Sequence, residues 1–310
     1  MTIQQALAEG TQLLNSPSES AFIDTPALDA SILLRHALGI SKTELVLLAN
    51  ECIDEAAESK YKALLERRRS GECIAYITGC KEFRGLEFIV NPNVLVPRPD
   101  TETLVETAIE YIDGILSNQS IKAKDHDPAI AVSLLDLCTG QGAVAISLKN
   151  ERPFLNITAT DISPQALETA MLNAERLLAL KLSEKRKSSS SHFLSFIQSD
   201  LFKDVQGKFN IIVSNPPYIR FCELSLLSPE VRLEPALALD GGEDGLTLIR
   251  KIIAESPKYL VPGGVLLLEA THGQMPEIWE LLANHGFSGI RCHKDIANRD
   301  RVISGQKLGA

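Results

Sequence analysis

The residues of most chemical consequence are Asn215-Pro216-Pro217-Tyr218, which follow directly on the apolar run Phe209-Asn210-Ile211-Ile212-Val213-Ser214. Two successive prolines fix φ and bring no N–H donors, so the carbonyls around them are left to accept from a ligand. The Asn215 side-chain oxygen is a further acceptor, and the Tyr218 ring can lie flat against a π-system. A buried strand that ends in such a corner suits a planar NH2 group, whether a carboxamide or an exocyclic amine. Its hydrogens would be held while the nitrogen lone pair faces an electrophile. The competing reading is a strand followed by a proline-stiffened turn, the usual origin of a Pro-Pro pair.

A second cluster lies upstream. Leu134-Leu135-Asp136-Leu137-Cys138-Thr139-Gly140-Gln141-Gly142-Ala143 reads as a strand, a turn and a helix start. Glycines there let a ligand approach the backbone, at the strand end where doubly wound sheets bind theirs. Only Gly140 and Gly142 are present, so the spacing is not GxGxxG, and no GxxxxGK[ST] loop occurs. The turn by itself could serve any nucleotide. Asp161 closes the next apolar run, Ile157-Thr158-Ala159-Thr160, and is placed to accept from ribose hydroxyls. Alternatively it caps the helix that begins at Ser163-Pro164. Ser199-Asp200-Leu201-Phe202 follows a third strand. Asp200 can accept from an adenine amino group and Leu201 or Phe202 can cover a ring face; the bland reading is an ordinary turn with a hydrophobic plug.

These residues need a scaffold, and the patterning supplies one. Residues 1–79 read as helices only. Thr25 with Pro26 starts one that Gly39 stops, Ser41-Lys42-Thr43-Glu44 is a capping box, and Asp54 opens a third ending in Arg67-Arg68-Arg69. The arginine triplet is expected to be a solvated helix end favoured by the dipole. Residues 80–99 read as a small hairpin around Gly85 followed by a connector stiffened by Pro92, Pro97 and Pro99. From residue 100 to 310 strands and helices alternate. Strand-like runs fall at 130–137, 156–160, 193–197, 209–214 and 264–269, with helical patterns at 100–116, 142–150, 163–180, 244–259 and 274–285. A polar loop passes through His126 and Asp127, and a last strand pair is expected at 289–293 and 300–306. Such alternation predicts an α/β fold with a largely parallel sheet covered by helices on both faces, preceded by a small all-helical domain. Residues 181–191 (KLSEKRKSSSS) read as a polar, low-complexity surface insertion.

Composition narrows the function classes. The chain has 310 residues, 45% hydrophobic and 23% charged, which fits an ordinary globular protein of two domains. No apolar run approaches the ~20 residues needed to cross a bilayer, and the N-terminus lacks the pattern of a secretory signal. Six cysteines occur without a CxxC pair and no histidine cluster has metal-ligand spacing, so reduced thiols, no metal and a cytoplasmic location are expected. A formal net charge of −9 tilts against a nucleic-acid partner.

The Gly turn, the acidic strand end and the Asn-Pro-Pro-Tyr corner occur in the order found in Rossmann-like methyltransferases that use S-adenosylmethionine. The corner resembles that of amino-group methyltransferases acting on adenine, cytosine or glutamine nitrogen. Further segments narrow the resemblance: Ala75-Tyr76-Ile77-Thr78-Gly79, Glu82-Phe83-Arg84-Gly85-Leu86, Val94-Leu95-Val96-Pro97-Arg98-Pro99-Asp100-Thr101-Glu102, and Glu234-Pro235-Ala236-Leu237-Ala238-Leu239 with Gly241-Gly242. Together with the helical N-terminal domain they make the chain similar, along its whole length, to the peptide chain release factor glutamine N5-methyltransferases (the HemK family). The resemblance implies a class I methyltransferase fold and a helical domain that docks the substrate. It also implies methylation of the glutamine amide in the Gly-Gly-Gln motif of class 1 release factors, with no membrane and no stable nucleic-acid partner. It assigns Cys138, Thr139, Gly140, Gln141, Gly142, Asp161, Asp200, Leu201 and Asn215 to the cofactor, and Asn215, Pro216, Pro217, Tyr218 and Arg98 to the substrate. Cys138, Gln141 and Thr271 depart from the family pattern on the side expected to face the cofactor methionine. The alternatives are an adenine-N6 methyltransferase of DNA or RNA, and a non-catalytic protein that binds release factors.

Overall fold

The computed structural model describes residues 1–16, 23–122, 132–185 and 193–309, with side chains at 118–122 and 179–185 left aside. The loop through His126 and Asp127, the first residues of the strand expected at 130–137, and 186–191 of the polar insertion lie outside the described residues. The chain packs as two units: Met1–Cys80 with Ser225–Glu234, and Lys81–Leu224 with Pro235–Ala310.

The first unit is built from α1 (Ile3–Asn15), α2 (Pro26–Leu38), α3 (Lys42–Leu47), α4 (Glu55–Arg69) and α5 (Ile74–Thr78). Their starts are encoded locally. Ser41 and Glu44 exchange side-chain to backbone bonds as a capping box, and the Asp54 carboxylate accepts from Ala57 N at 2.7 Å. Thr25 sits at the cap of α2, but its hydroxyl donates to Asp29 Oδ1 instead of capping the backbone. Within the arginine triplet, Arg67 is exposed as a solvated helix end should be, but Arg68 departs from that expectation. Arg68 is only 4% exposed, and its guanidinium pairs with Asp29 at 2.7 Å and with Glu230. A planar fork of donors can satisfy two carboxylates at once, which makes a buried arginine tolerable where a lysine would not be.

The second unit opens with a hairpin, β1 (Cys80–Phe83) and β2 (Leu86–Ile89), and then α6 (Glu102–Lys122) after a 3-10 turn at Pro99–Thr101. Next come β3 (Ser133–Leu137), α7 (Ala143–Glu151), β4 (Asn156–Asp161), α8 (Pro164–Lys185), β5 (Leu194–Gln198) and β6 (Phe209–Ser214). In the first unit lies the short α9 (Pro229–Arg232). The second resumes with α10 (Ala236–Leu239), α11 (Thr247–Glu255), β7 (Leu260–Glu269), α12 (Met275–Asn284), β8 (Phe287–Lys294) and β9 (Asp300–Lys307). The expected alternation is therefore observed, with α8 running into the polar insertion as far as Lys185.

The seven strands order as β5-β4-β3-β6-β7-β9-β8, parallel up to β7 and antiparallel for the last two pairings. Side chains alternate between two cores. Leu134, Ile211, Val213, Val265 and Leu267 join α6 and α7 on one face. Leu135, Leu137, Ile212, Leu266 and Leu268 join α11 and α12 on the other. Sequence order runs outward to β4 on one side of β3 and to β6 on the other. The carboxyl end of β3 is thus a topological switch point, where open α/β sheets hold ligands.

Candidate active site

A cavity opens at that switch point. Its floor is the turn Cys138-Thr139-Gly140-Gln141 after β3, flanked by Thr160, Asp161 and Ser163 from β4 and by Asp200 and Leu201 after β5. Asn215 and Pro217 after β6 form another wall, and Arg98, Thr101 and Leu237 complete it. Of the residues expected at the site, Gly142, Pro216 and Tyr218 do not line the cavity.

The turn after β3 is held in an unusual shape. Cys138 has φ 59°, and Leu201 across the cavity has φ 52°, in a region that disfavours residues with a Cβ. Non-glycine residues persist there only where the surroundings over-determine them, which is common at ligand sites. The surroundings are visible. Thr139 Oγ1 donates to the buried Asp136 carboxyl at 2.6 Å, and Asp161 Oδ2 accepts from Gly140 N at 2.9 Å while Oδ1 accepts from Ser163 N. Ser199 Oγ donates to the Leu201 carbonyl at 2.8 Å. Burial pushes Asp136 up to about 7 and raises Asp161, whose backbone bonds pull the other way. Burial, with the Asp161 charge behind it, pushes the Cys138 thiol up to about 12, so it packs as a neutral group.

Three expectations are corrected here. Asp161 does not cap α8; Ser163 does, accepting from Ala166 N at 3.2 Å. Phe202 does not cover a ligand: it is buried in the second core, stacked on Tyr259 with centroids 4.6 Å apart. Gly142 faces α8, and a Cβ there would meet Ile146 Cδ1 at 2.8 Å and the Ala170 Cβ at 3.2 Å. Its glycine serves helix packing.

Sequence reasoning missed Asn173, although it fixes the turn from α8. Fully buried, it donates to the carbonyls of Ile89 and Gln141 and accepts from Ile89 N at 2.7 Å. Asn173→Ala takes the partner from three backbone groups, the buried Gln141 carbonyl and the half-buried N–H and carbonyl of Ile89, so we expect a loss of about 2 kcal/mol. A denaturant midpoint unchanged from wild type would refute this.

The acceptor corner is braced from behind. Asn215 Nδ2 donates to Thr101 Oγ1 at 3.1 Å, so the side-chain oxygen is the atom left to accept from a ligand. The Ser214 hydroxyl donates to the Leu137 carbonyl at 2.8 Å and ties β6 to the end of β3. The Tyr218 hydroxyl reaches Glu269 Oε1 at 3.5 Å, and its carbonyl accepts from Gln274 Nε2 at 3.0 Å. Burial raises the Tyr218 phenol, and the Glu269 charge adds to it. Thr271, expected beside the cofactor, instead donates to Gln274 Oε1 from both its backbone and its hydroxyl. It thereby aims the Gln274 amide at the acceptor corner.

The residues present suit the cofactor that the resemblance implies. Asp136, Asp161 and Asp200 put three carboxyl groups on the cavity wall, which complements a ligand carrying cationic groups and ribose hydroxyls. Apolar Leu201 and the open approach at Gly140, where a Cβ would meet nothing within 4 Å, accommodate a flat ring and a close backbone contact.

Comparison with known proteins agrees with this geometry. Residues 5–79 match the PrmC N-terminal domain and residues 120–224 the methyltransferase small domain. The release factor glutamine methyltransferase of Burkholderia pseudomallei is 41% identical over 91% of this chain and 93% of its own length. That of Vibrio cholerae is 37% identical over 99% and 97%. Among solved structures, the hMettl16 catalytic domain in complex with MAT2A 3'UTR hairpin 6 superposes with a TM-score of 0.51 at 14% identity, covering 79% of this chain and 81% of that one, a likeness of fold alone. Identity at this level over nearly the whole of both chains means that this protein belongs to the family of release factor glutamine methyltransferases.

Proposed function

We propose that this enzyme methylates the side-chain amide nitrogen of the glutamine in the Gly-Gly-Gln motif of class 1 release factors, in the cytoplasm, with S-adenosylmethionine as donor. The observation that carries the reading is the Asn215 carboxamide. Its NH2 is committed to Thr101, which leaves an oxygen acceptor on the wall of the cavity. S-adenosylmethionine, when bound, supplies a methyl group on a sulfonium, an electrophile ready for direct transfer. Cys138, Thr139, Gly140 and Gln141 would hold its amino-acid end, Asp161 its ribose, and Asp200 with Leu201 its adenine.

The chain's own part is mostly orientation. An amide nitrogen is a weak nucleophile because its lone pair is delocalised into the carbonyl. Asn215 Oδ1 and the Pro216 carbonyl would accept the two amide hydrogens, favouring a nitrogen whose lone pair stands out of the amide plane. Pro216 and Pro217 are both buried, so this corner cannot relax around a poorly placed substrate. Fixed acceptors aimed at the developing positive charge supply the electrostatic share of catalysis. No strong general base is needed, since an N-methylated amide cation is very acidic and loses its proton after transfer. The helical first unit is the docking element in this reading. No described helix is long and apolar enough to cross a membrane.

The test is incubation with a purified class 1 release factor and methyl-labelled S-adenosylmethionine, followed by mass mapping. Label on the Gly-Gly-Gln glutamine is the expected result; label elsewhere, or none, rejects the assignment.

A further inference from the structure

After the acceptor corner the chain makes a detour to which methyl transfer gives no task. It leaves the second unit after Leu224, runs through the first as Ser225–Glu234, and re-enters the second at Pro235. Both ends of the detour belong to the site. It starts from Tyr218, and its return, Pro235, Leu237 and Ala238, lines the cavity. Backbone bonds close its base. Ile219 N donates to the Leu239 carbonyl at 3.0 Å, Gly241 N to the Ile219 carbonyl at 2.8 Å, and Phe221 N to the Gly242 carbonyl at 2.9 Å.

Above that base the detour buries little. No residue from Phe221 to Leu233 is fully buried, and the Phe221, Leu226 and Leu233 side chains are exposed. A loop so poor in buried apolar contacts has little of its own to keep it in one place. Glu230, midway between Tyr218 and Gly242, supplies a hold: its carboxylate accepts from Arg68 Nη2. Arg68 is a firm partner. It is buried, its Nε donates to Asp29 Oδ2 at 2.7 Å, and its Nη1 donates to the Glu72 carbonyl at 3.1 Å. A guanidinium already fixed along two edges presents the third with little further loss of side-chain freedom. Asp29 alone neutralises the buried charge, so a second carboxylate calls for another reason.

We propose that Glu230 is a positioning residue for methyl transfer: held by Arg68, it pins the detour within the helical unit and so steadies the two stretches of the site at its ends, the acceptor corner and the returning cavity wall. Released from Arg68, the detour would move, and its base strands would carry that motion to Tyr218 on one side and to Leu237 on the other. The glutamine amide would still dock but would meet a corner that wanders. This role rests on the proposed function, in which the helical unit is the docking element.

Glu230→Ala tests this, because Arg68 keeps Asp29 and the Glu72 carbonyl and the helical core retains its ion pair. We expect kcat on full-length release factor to fall about tenfold, the rate equivalent of one hydrogen bond between charged groups. KM for release factor and S-adenosylmethionine affinity by calorimetry should change little. A role in stability alone would leave kcat untouched below the unfolding transition. Glu230→Gln, which keeps an acceptor for Arg68 without the charge, should recover part of the loss. An E230A enzyme with wild-type kcat overturns the proposal, as does one whose whole defect is lost cofactor affinity. Should E230A fail to fold, hydrogen exchange in E230Q carries the test. The amides of Arg232 and Glu234 bond to the Ser228 and Val231 carbonyls inside the detour; faster exchange there than in wild type supports the pin, and equal rates refute it. Wild-type enzyme that leaves the glutamine unmodified overturns both this role and the proposed function, whereas active wild type with an indifferent E230A overturns this role alone.

Discussion

Asn215→Ala will lower kcat on release factor by on the order of 100- to 1000-fold, the usual cost of deleting one preorganised polar group that stabilises developing charge. The alanine removes the acceptor that the Thr101 bond sets in place, while the proline corner and the strand behind it stay intact. The substrate amide then keeps only one of its two hydrogen-bond acceptors and its lone pair is no longer aimed. Because misorientation appears after binding, the loss should fall mainly on kcat, with a smaller change in KM for release factor. Asn215 also lines the cavity, so some weakening of cofactor binding is expected. Calorimetry with S-adenosylmethionine separates the two effects. An N215A enzyme with wild-type kcat, or one whose whole defect is lost cofactor affinity, would remove Asn215 from the chemistry.

How far the sequence reaches depends on how far apart in the chain the cause lies. Strands β3, β4, β6 and β7 are legible because their apolar runs end in Asp, Asn or turn residues, and a parallel sheet follows from their alternation with helices. Asn215 is legible because its meaning comes from its two neighbours. Thr101, Glu269 and Gln274 are not. Thr101 meets Asn215 across 114 residues, and Gln274 meets Tyr218 across 56. Local periodicity carries no record of such pairs. Arg68 misled for the same reason: a basic helix end is normally solvated, and only Asp29 and Glu230, supplied from elsewhere in the chain, turn it into a buried ion pair. Phe202 looked like a ring cover because it follows Asp200, yet the left-handed backbone at Leu201 redirects the chain and sends Phe202 into the core. Polar residues that brace a site are read from structure, whereas those that touch the ligand leave a motif.

Gly245→Ala will cost about 3 kcal/mol or more in stability and will lower turnover beyond what lost folding explains. Gly245 has φ +79°, where an L residue is strained by roughly 1–2 kcal/mol. A Cβ there would also stand 2.3 Å from the Tyr218 carbonyl oxygen and 2.6 Å from Gln274 Nε2. Backbone cannot swing aside as the end of a flexible side chain can, so the Tyr218 peptide must move. Gln274 Nε2, which bonds both the Tyr218 and the Gly245 carbonyls, would be displaced with it. The displacement enters the acceptor corner through Tyr218 itself, because the carbonyl that must move belongs to the last residue of that corner. Gly39→Ala isolates the backbone part of the effect, because Gly39 has a similar φ of +68° and a Cβ there would meet nothing within 4 Å. That variant should lose only about 1 kcal/mol and keep full activity. If G245A, assayed below its unfolding transition, matched wild-type kcat, then the glycine loop would be serving the fold alone, and the stiffness we assign to the acceptor corner would have to come from the two prolines without its support.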